Sequence, residues 1–335
     1  MLYWAFWAAV VPRGIYGDCE APRSPSAVTP RPLPDTSSFS MQKPLPFLRL
    51  PTLAICLLLA ACQKEAVSPS VPPSPTGPVT PSQPLPEHLT LGNPSGAVTD
   101  ITQPTNYLLS KPQYALSYHR DRGIPNWVSW HLSPDWRGSA ARQDDFRPDN
   151  TLPAGWYQVP ATSYSGSGFD RGHNCPSADR TNTVADNSAT FLMTNMMPQA
   201  PRNNQQTWAN LEDYTRTFLN SGNEVYVVCG SYGRGGTGTN GYLTTLDQGR
   251  VTVPARCWKV VVILPVGTDD AARVSASTRM IAIDTPNDQS ISTTWGTYRT
   301  SVDAIEAATG LDLLSAVPTA IQQTIESRTD NGPTS

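Results

Sequence analysis

Charge is scarce in this sequence: Asp, Glu, Lys and Arg make up 15% of its 335 residues, and the formal net charge is -3. Residues 1–61 hold five of the 24 Lys and Arg and three of the 27 Asp and Glu, so the remainder carries -5. That balance excludes a protein that holds polyanions through a global positive field. Phosphate contacts would need a local cluster helped by a metal ion. The six cysteines have neither CxxC nor Cys/His spacing, which argues against structural zinc. The glycine-rich stretch Gly233-Arg234-Gly235-Gly236 is not followed by GK[ST], so it is a loop and not a nucleotide cradle. No internal repeat is visible. No apolar run reaches the length of about 20 residues that spans a bilayer.

The longest apolar run, PTLAICLLLAA at 51–61, follows Lys43 and Arg49. The basic-then-apolar order is that of a signal peptide. It ends Leu59-Ala60-Ala61-Cys62, which resembles a bacterial lipoprotein cleavage site with Cys62 as the lipid-attachment residue. An ordinary cleaved signal with an incidental cysteine is the alternative. Met41 stands where such a signal begins, so 1–40 reads as an upstream extension from a start codon set too early. A second membrane-seeking segment at 1–10 is the other reading. Residues 62–87 are rich in Pro, Ser and Thr and bury too little apolar surface to offset their ordering entropy, as a tether would. The expected location is therefore extracytoplasmic: secreted, or an outer-membrane lipoprotein, since Gln63 and not aspartate follows Cys62. Residues 88–335 have the length of one sizeable domain.

Within that domain, YALSYHRDRGIPNWVSWHL from residue 113 reads as a strand pair with Gly123-Ile124-Pro125-Asn126 as its turn. FLMTNMMP reads as a strand. NQQTWANLEDYTRTFLNSG has helical recurrence at Trp208, Leu211, Tyr214 and Phe218, with Gly222 as its stop. EVYVVCG, CWKVVVILP and RMIAIDT read as buried strands, and VDAIEAATG as a short helix closing at Gly310. The expected class is α+β, an antiparallel central sheet with packed helices.

Three blocks carry chemistry: Asp170-Arg171-Gly172-His173, then Thr194 to Gln199, then Asn204-Gln205 leading to Trp208, Leu211 and Glu212. A histidine after glycine is sterically open. Arg171 beside it can grip phosphate in a bidentate way. The Asn204 amide, in the first turn of a long helix, offers oxygen to a hard cation that accepts few protein ligands. Glu212 and Arg216 lie eight and twelve residues on and can share its side of the helix. Base, metal and cationic clamp are what phosphodiester hydrolysis requires.

Residues 107–331 resemble the DNA/RNA non-specific endonucleases of the ββα-metal type, bacterial and cyanobacterial extracellular members above all. The resemblance rests on four blocks in order: DRGH, P-x-A-D-R, FLMTNMMPQ and N-Q-x-x-W-x-x-L-E. It implies a ββα-metal motif with His173 as general base and Asn204 as the direct ligand of one Mg²⁺ or Mn²⁺. Arg142 would stabilise the phosphorane, and Arg171, Asn195, Gln199, Glu212 and Arg216 would position metal waters or phosphate. The implied substrates are DNA and RNA, single- and double-stranded, cut without sequence preference to 5′-phosphate ends. No protein partner is implied.

Plainer readings stand beside these. His88, His119 and His131 are expected to be structural. Asn204 could be a helix cap, with Asn203 as a competing cap, and Glu212 could merely pair with Arg216. Met193, Met196 and Met197 pack a strand. An inactive binding module would require loss of His173 or Asn204, and neither is lost. A toxin effector of narrower substrate choice is the alternative function. Cys229 and Cys257, on neighbouring strands, are expected to form a disulfide, leaving Cys175 near the site open to oxidation. Three buried free thiols are the alternative.

Overall fold

The computed structural model describes residues 87–335. The expected upstream extension, signal peptide and Cys62, and all but the end of the tether, lie outside the described residues.

Seven strands form one antiparallel sheet: β1 (Tyr107–Ser110), β2 (Ala115–His119), β3 (Ile124–Leu132), β6 (Asn223–Tyr232), β7 (Arg256–Pro265), β8 (Arg279–Pro286) and β9 (Arg299–Thr300), in that spatial order. A separate antiparallel pair, β4 (Asp170–His173) with β5 (Met196–Gln199), carries the DRGH block. The helices are α1 (Val184–Ala189), α2 (Ala209–Thr217), α3 (Val302–Thr309) and α4 (Thr319–Ile325). One turn of π-helix, Asn203–Trp208, leads into α2. The class is α+β, and the β4–β5 pair followed by α2 forms a ββα unit.

Both faces of the sheet are covered, so its central strands are apolar at nearly every position. Val225, Val227 and Cys229 of β6 and Val261 and Ile263 of β7 face Trp208 and Leu211 of the helix that follows β5. Tyr226 and Val228 alternate with them and pack with Trp258, Val260 and Val262 against Ile305, Leu313 and Ile325. A third apolar cluster, with Ile124, Phe169, Met193 and Met196, underlies the β4–β5 pair.

Three expectations need correction. The β2–β3 turn comes earlier than Gly123–Asn126: Gly123 closes it at φ +64°, donating to His119 O, and β3 begins at Ile124. Pro125 is accommodated within β3 opposite Tyr118, where the register shifts. The first half of FLMTNMMP is a short 3₁₀ turn, Met193–Asn195, and only Met196–Gln199 is strand. The strands bearing Cys229 and Cys257 do pair, but two residues out of the register a disulfide needs. Cys229 faces Lys259, Cys257 faces Ser231, and both thiols are free. Cys175 is free and fully buried, which closes it to oxidants from solvent.

Candidate active site

β4 pairs with β5 so that Asp170 lies opposite Gln199 and His173 opposite Met196. Arg171 and His173, two residues apart, emerge on one side of the strand. Both meet Phe146: the Arg171 guanidinium lies 4.1 Å from the ring centroid, and the His173 ring stands edge-on at 5.5 Å. Phe191, fully buried, meets His173 at 4.9 Å from its other side. The aromatic walls hold the imidazole, because neither ring nitrogen hydrogen-bonds to protein among the described residues, and Nε2 is buried. Burial in this apolar pocket, with Arg142 and Arg171 nearby, pushes the His173 pKa down to about 3. The ring is therefore neutral at physiological pH and able to accept a proton.

Gly172 is required between them by close approach. A Cβ there would collide with the Gln199 side-chain oxygen and lie 2.7 Å from Gln199 Cβ.

The helix after β5 begins within a turn locked by Asn287. Its side chain accepts from Ala200 N at 2.8 Å and donates to Pro198 O and Pro254 O at 2.9 Å each. One residue of offset then separates two asparagines. Asn203 is buried, its amide donating to Thr285 Oγ1 at 3.1 Å. Asn204 faces the cleft instead, its Nδ2 donating to Asp170 Oδ2 at 2.8 Å, and Gln205 Nε2 donates to the same oxygen at 2.9 Å. Asp170 thus fixes the Asn204 amide with its Oδ1 outward. Neither that oxygen nor Asp170 Oδ1 is engaged by protein among the described residues. π-helical turns recur at functional sites, and here the wider turn carries Asn204.

Asp170, Asn204 and Gln205 line a cleft of about 420 Å³ with Arg142, Asp144, Phe146, Tyr164, Phe169 and Arg171; His173 is not part of that lining and stands against the cleft residue Phe146. Arg142 is exposed, pairs with Asp144 at 2.7 Å, donates to Ser177 Oγ at 2.9 Å, and lies 4.8 Å above Phe191. Among the described residues Arg171 has no carboxylate partner. Two guanidiniums therefore stand at the rim for an anion. The unengaged Asn204 and Asp170 oxygens, on residues that line the cleft, suit a hard divalent cation that keeps most of its waters.

The other expected residues do not line the cleft. Asn195 is buried and saturated: its side chain accepts from Cys175 N at 3.0 Å and donates to Cys175 O at 2.9 Å and Thr190 O at 2.8 Å. These bonds tie the segment after His173 to the turn before β5. Gln199 is likewise fully buried, under Gly172. Glu212 does not pair with Arg216 but with Lys259, at 2.7 Å, and Arg216 pairs with Asp179 at 2.8 Å and with Asp213. Lys259 is 1% exposed and sits 4.1 Å from the Trp208 ring, so the Lys259–Glu212 pair is enclosed behind the turn that carries Asn204.

His131, as expected, is structural, bridging Glu87 at 2.7 Å and Glu224 at 2.9 Å; His88 bonds Pro112 O. Sequence reasoning overlooked Asp170 as the orienting group, Asn287 and Lys259. The last had a signal: a cation inside an apolar run demands a buried partner.

Residues 92–320 match the family model for DNA/RNA non-specific endonucleases. A nuclease of Nostoc sp. is 49% identical over 283 residues, covering 84% of this chain and 98% of its own. Human mitochondrial endonuclease G is 32% identical over 211 residues, 61% of this chain and 68% of its own. Among solved structures, the EndoG/EndoGI complex superimposes with a TM-score of 0.59 at 23% identity, over 75% of this chain and 99% of that one; at this identity the likeness speaks to the fold.

Proposed function

The chain belongs to the DNA/RNA non-specific endonuclease family and is a phosphodiester hydrolase, and from that premise we propose how its residues divide the work. The carrying observation is the Asp170–Asn204 bond, which aims an amide oxygen into a cleft rimmed by Arg142 and Arg171. Asn204, with Asp170 orienting it, would hold one Mg²⁺ or Mn²⁺. Such an ion supplies Lewis-acid relief of the negative charge that grows on the phosphate and its leaving oxygen. Arg142 and Arg171 hold the phosphate. Neutral His173 takes a proton from the attacking water, whose oxygen then joins phosphorus in line with the departing 3′ oxygen. Cleavage on that side leaves 5′-phosphate ends. These contacts are to phosphate and not to base edges, which accounts for cutting DNA and RNA without reading sequence. Glu212 and Arg216 act from behind, keeping the metal-facing helix rigid through Lys259 and Asp179.

Export through residues 41–61, with lipid on Cys62, is proposed on the signal-like sequence alone. Among the described residues no helix is long and apolar enough to cross a membrane.

Plasmid hydrolysis measured across Mg²⁺ and Mn²⁺ concentrations tests the ligand assignment. Asn204→Ala and Asp170→Ala should each raise the half-saturating metal concentration by roughly tenfold or more, in line with lost metal ligands and their orienting partners. Unchanged metal dependence in both variants would remove Asn204 from the role.

A further inference from the structure

On the sheet face opposite the cleft, three carboxylates converge where α3 starts and α4 ends. One oxygen from each of Asp303, Glu306 and Glu326 lies within 4.8 Å of the others. Two of the three have ordinary reasons to be there. Asp303 is exposed in the first turn of α3, where acidic residues are common. Glu306 accepts from Leu313 N at 2.8 Å. Glu326 has no such reason. It is 5% exposed, and its Oε1 is buried without any hydrogen-bond partner. Its own backbone oxygen accepts from Asp303 N at 3.1 Å, which fixes the end of α4 against the start of α3.

None of the ion pairs among the described residues includes these three or Asp312, the fourth acid whose charge acts on Glu306 and Glu326. Burial and this crowd of like charges push the Glu326 carboxyl up to about 7. A buried carboxylate is stable only when protonated, paired or bound to a metal. Among the described residues, no Lys, Arg or His forms an ion pair with these carboxylates.

We propose that Asp303, Glu306 and Glu326 form a calcium-binding site, separate from the catalytic cleft, that clamps α4 to α3. Ligands about 2.3–2.6 Å from one ion can lie up to roughly 4.6–5.2 Å apart, which matches the span of these oxygens. A Mg²⁺ shell, at about 2.0–2.1 Å, is smaller and more demanding in geometry. The partly exposed Asp303 leaves room for water to complete the shell. Three carboxylates with solvent access suit an affinity in the range of about 10⁻⁴–10⁻³ M.

The test is calorimetric titration of CaCl₂ into chelator-treated protein carrying Asn204→Ala, so that the cleft does not compete. One saturable site is expected, and Ca²⁺ at about tenfold its Kd should raise Tm by roughly 3–6 °C. Glu326→Gln should weaken binding at least tenfold. Asp303→Asn, at an exposed position that the fold tolerates, should weaken it in the same direction and covers the case in which the buried variant does not fold. In the Asn204 background of the natural protein, Glu326→Gln should keep Mg²⁺-dependent nuclease activity. No saturable heat at millimolar Ca²⁺, unchanged affinity in the variants, or lost activity in a folded Glu326→Gln protein would overturn the proposal.

Discussion

A histidine held neutral by its surroundings should make this nuclease insensitive to acid over a range where an ordinary histidine base fails. His173 is walled by Phe146 and Phe191, and burial together with Arg142 and Arg171 lowers its pKa from 6.5 to about 3. That is a bias of roughly 5 kcal/mol against the imidazolium. The pH dependence of kcat/KM reports the free enzyme, so its acid limb should show no break near 6.5 and should continue flat to about pH 4. Bound phosphate would offset the two guanidiniums and relax part of that bias. The acid limb of kcat should therefore lie higher than that of kcat/KM. Rates on a fluorescent oligonucleotide at saturating metal give both limbs, and an imidazole NMR titration, assigned through His173→Gln, gives the free-enzyme value directly. A kcat/KM break at 6–7 with the His173 ring titrating there would refute the reasoning. Stability sets the lower boundary of the assay. The folded-state values of His88, about 4, and His173, about 3, both lie below the unfolded value. The unfolded chain thus binds protons first, and stability is full above 6.5 and falls as pH drops, by about 1.4 kcal/mol per pH unit for each histidine.

Lys259→Met should strand the enclosed Glu212 carboxylate, costing about 3–5 kcal/mol and lowering Tm by roughly 6–20 °C. Adding Glu212→Leu should recover much of that loss in thermal denaturation, whereas a double-variant loss equal to the sum of the two single losses would mean that the pair carries no coupling. Gly172→Ala forces a Cβ onto the buried Gln199 side chain, so it should destabilise the fold by about 1–3 kcal/mol in denaturant titration. A neutral substitution would show that Gln199 does not press on Gly172 across β4 and β5.

Much of this architecture was legible because its physics is local. Runs such as EVYVVCG and CWKVVVILP are apolar throughout since both sheet faces are covered, and Gly222 and Gly310 end their helices at φ +73°, where other residues are strained. What escaped depends on register and direction. A glycine-rich connection does not dictate strand offset, so the Cys229–Cys257 bond was placed two residues wrong. Neighbouring positions on a helix differ by about 100°, which sends Asn203 into the core and Asn204 into the cleft; helical period alone does not separate the two, and the N-Q-x-x-W resemblance points to Asn204. Asn195 sits in a block rich in chemistry, yet its amide is consumed by the Cys175 and Thr190 backbone. Residues that build a site and residues that hold its strands share the same motif, and only burial separates them.

The central claim is that one cleft, with His173 as base, hydrolyses any phosphodiester backbone when a divalent ion is present. Supercoiled plasmid, single-stranded DNA and RNA, each incubated with natural protein or His173→Ala in Mg²⁺ or in EDTA, test it most directly. The natural protein should cleave all three in Mg²⁺ and none in EDTA, and the variant should lose a factor of roughly 10² or more. Cleavage in EDTA, or a His173→Ala protein of comparable rate, would contradict it.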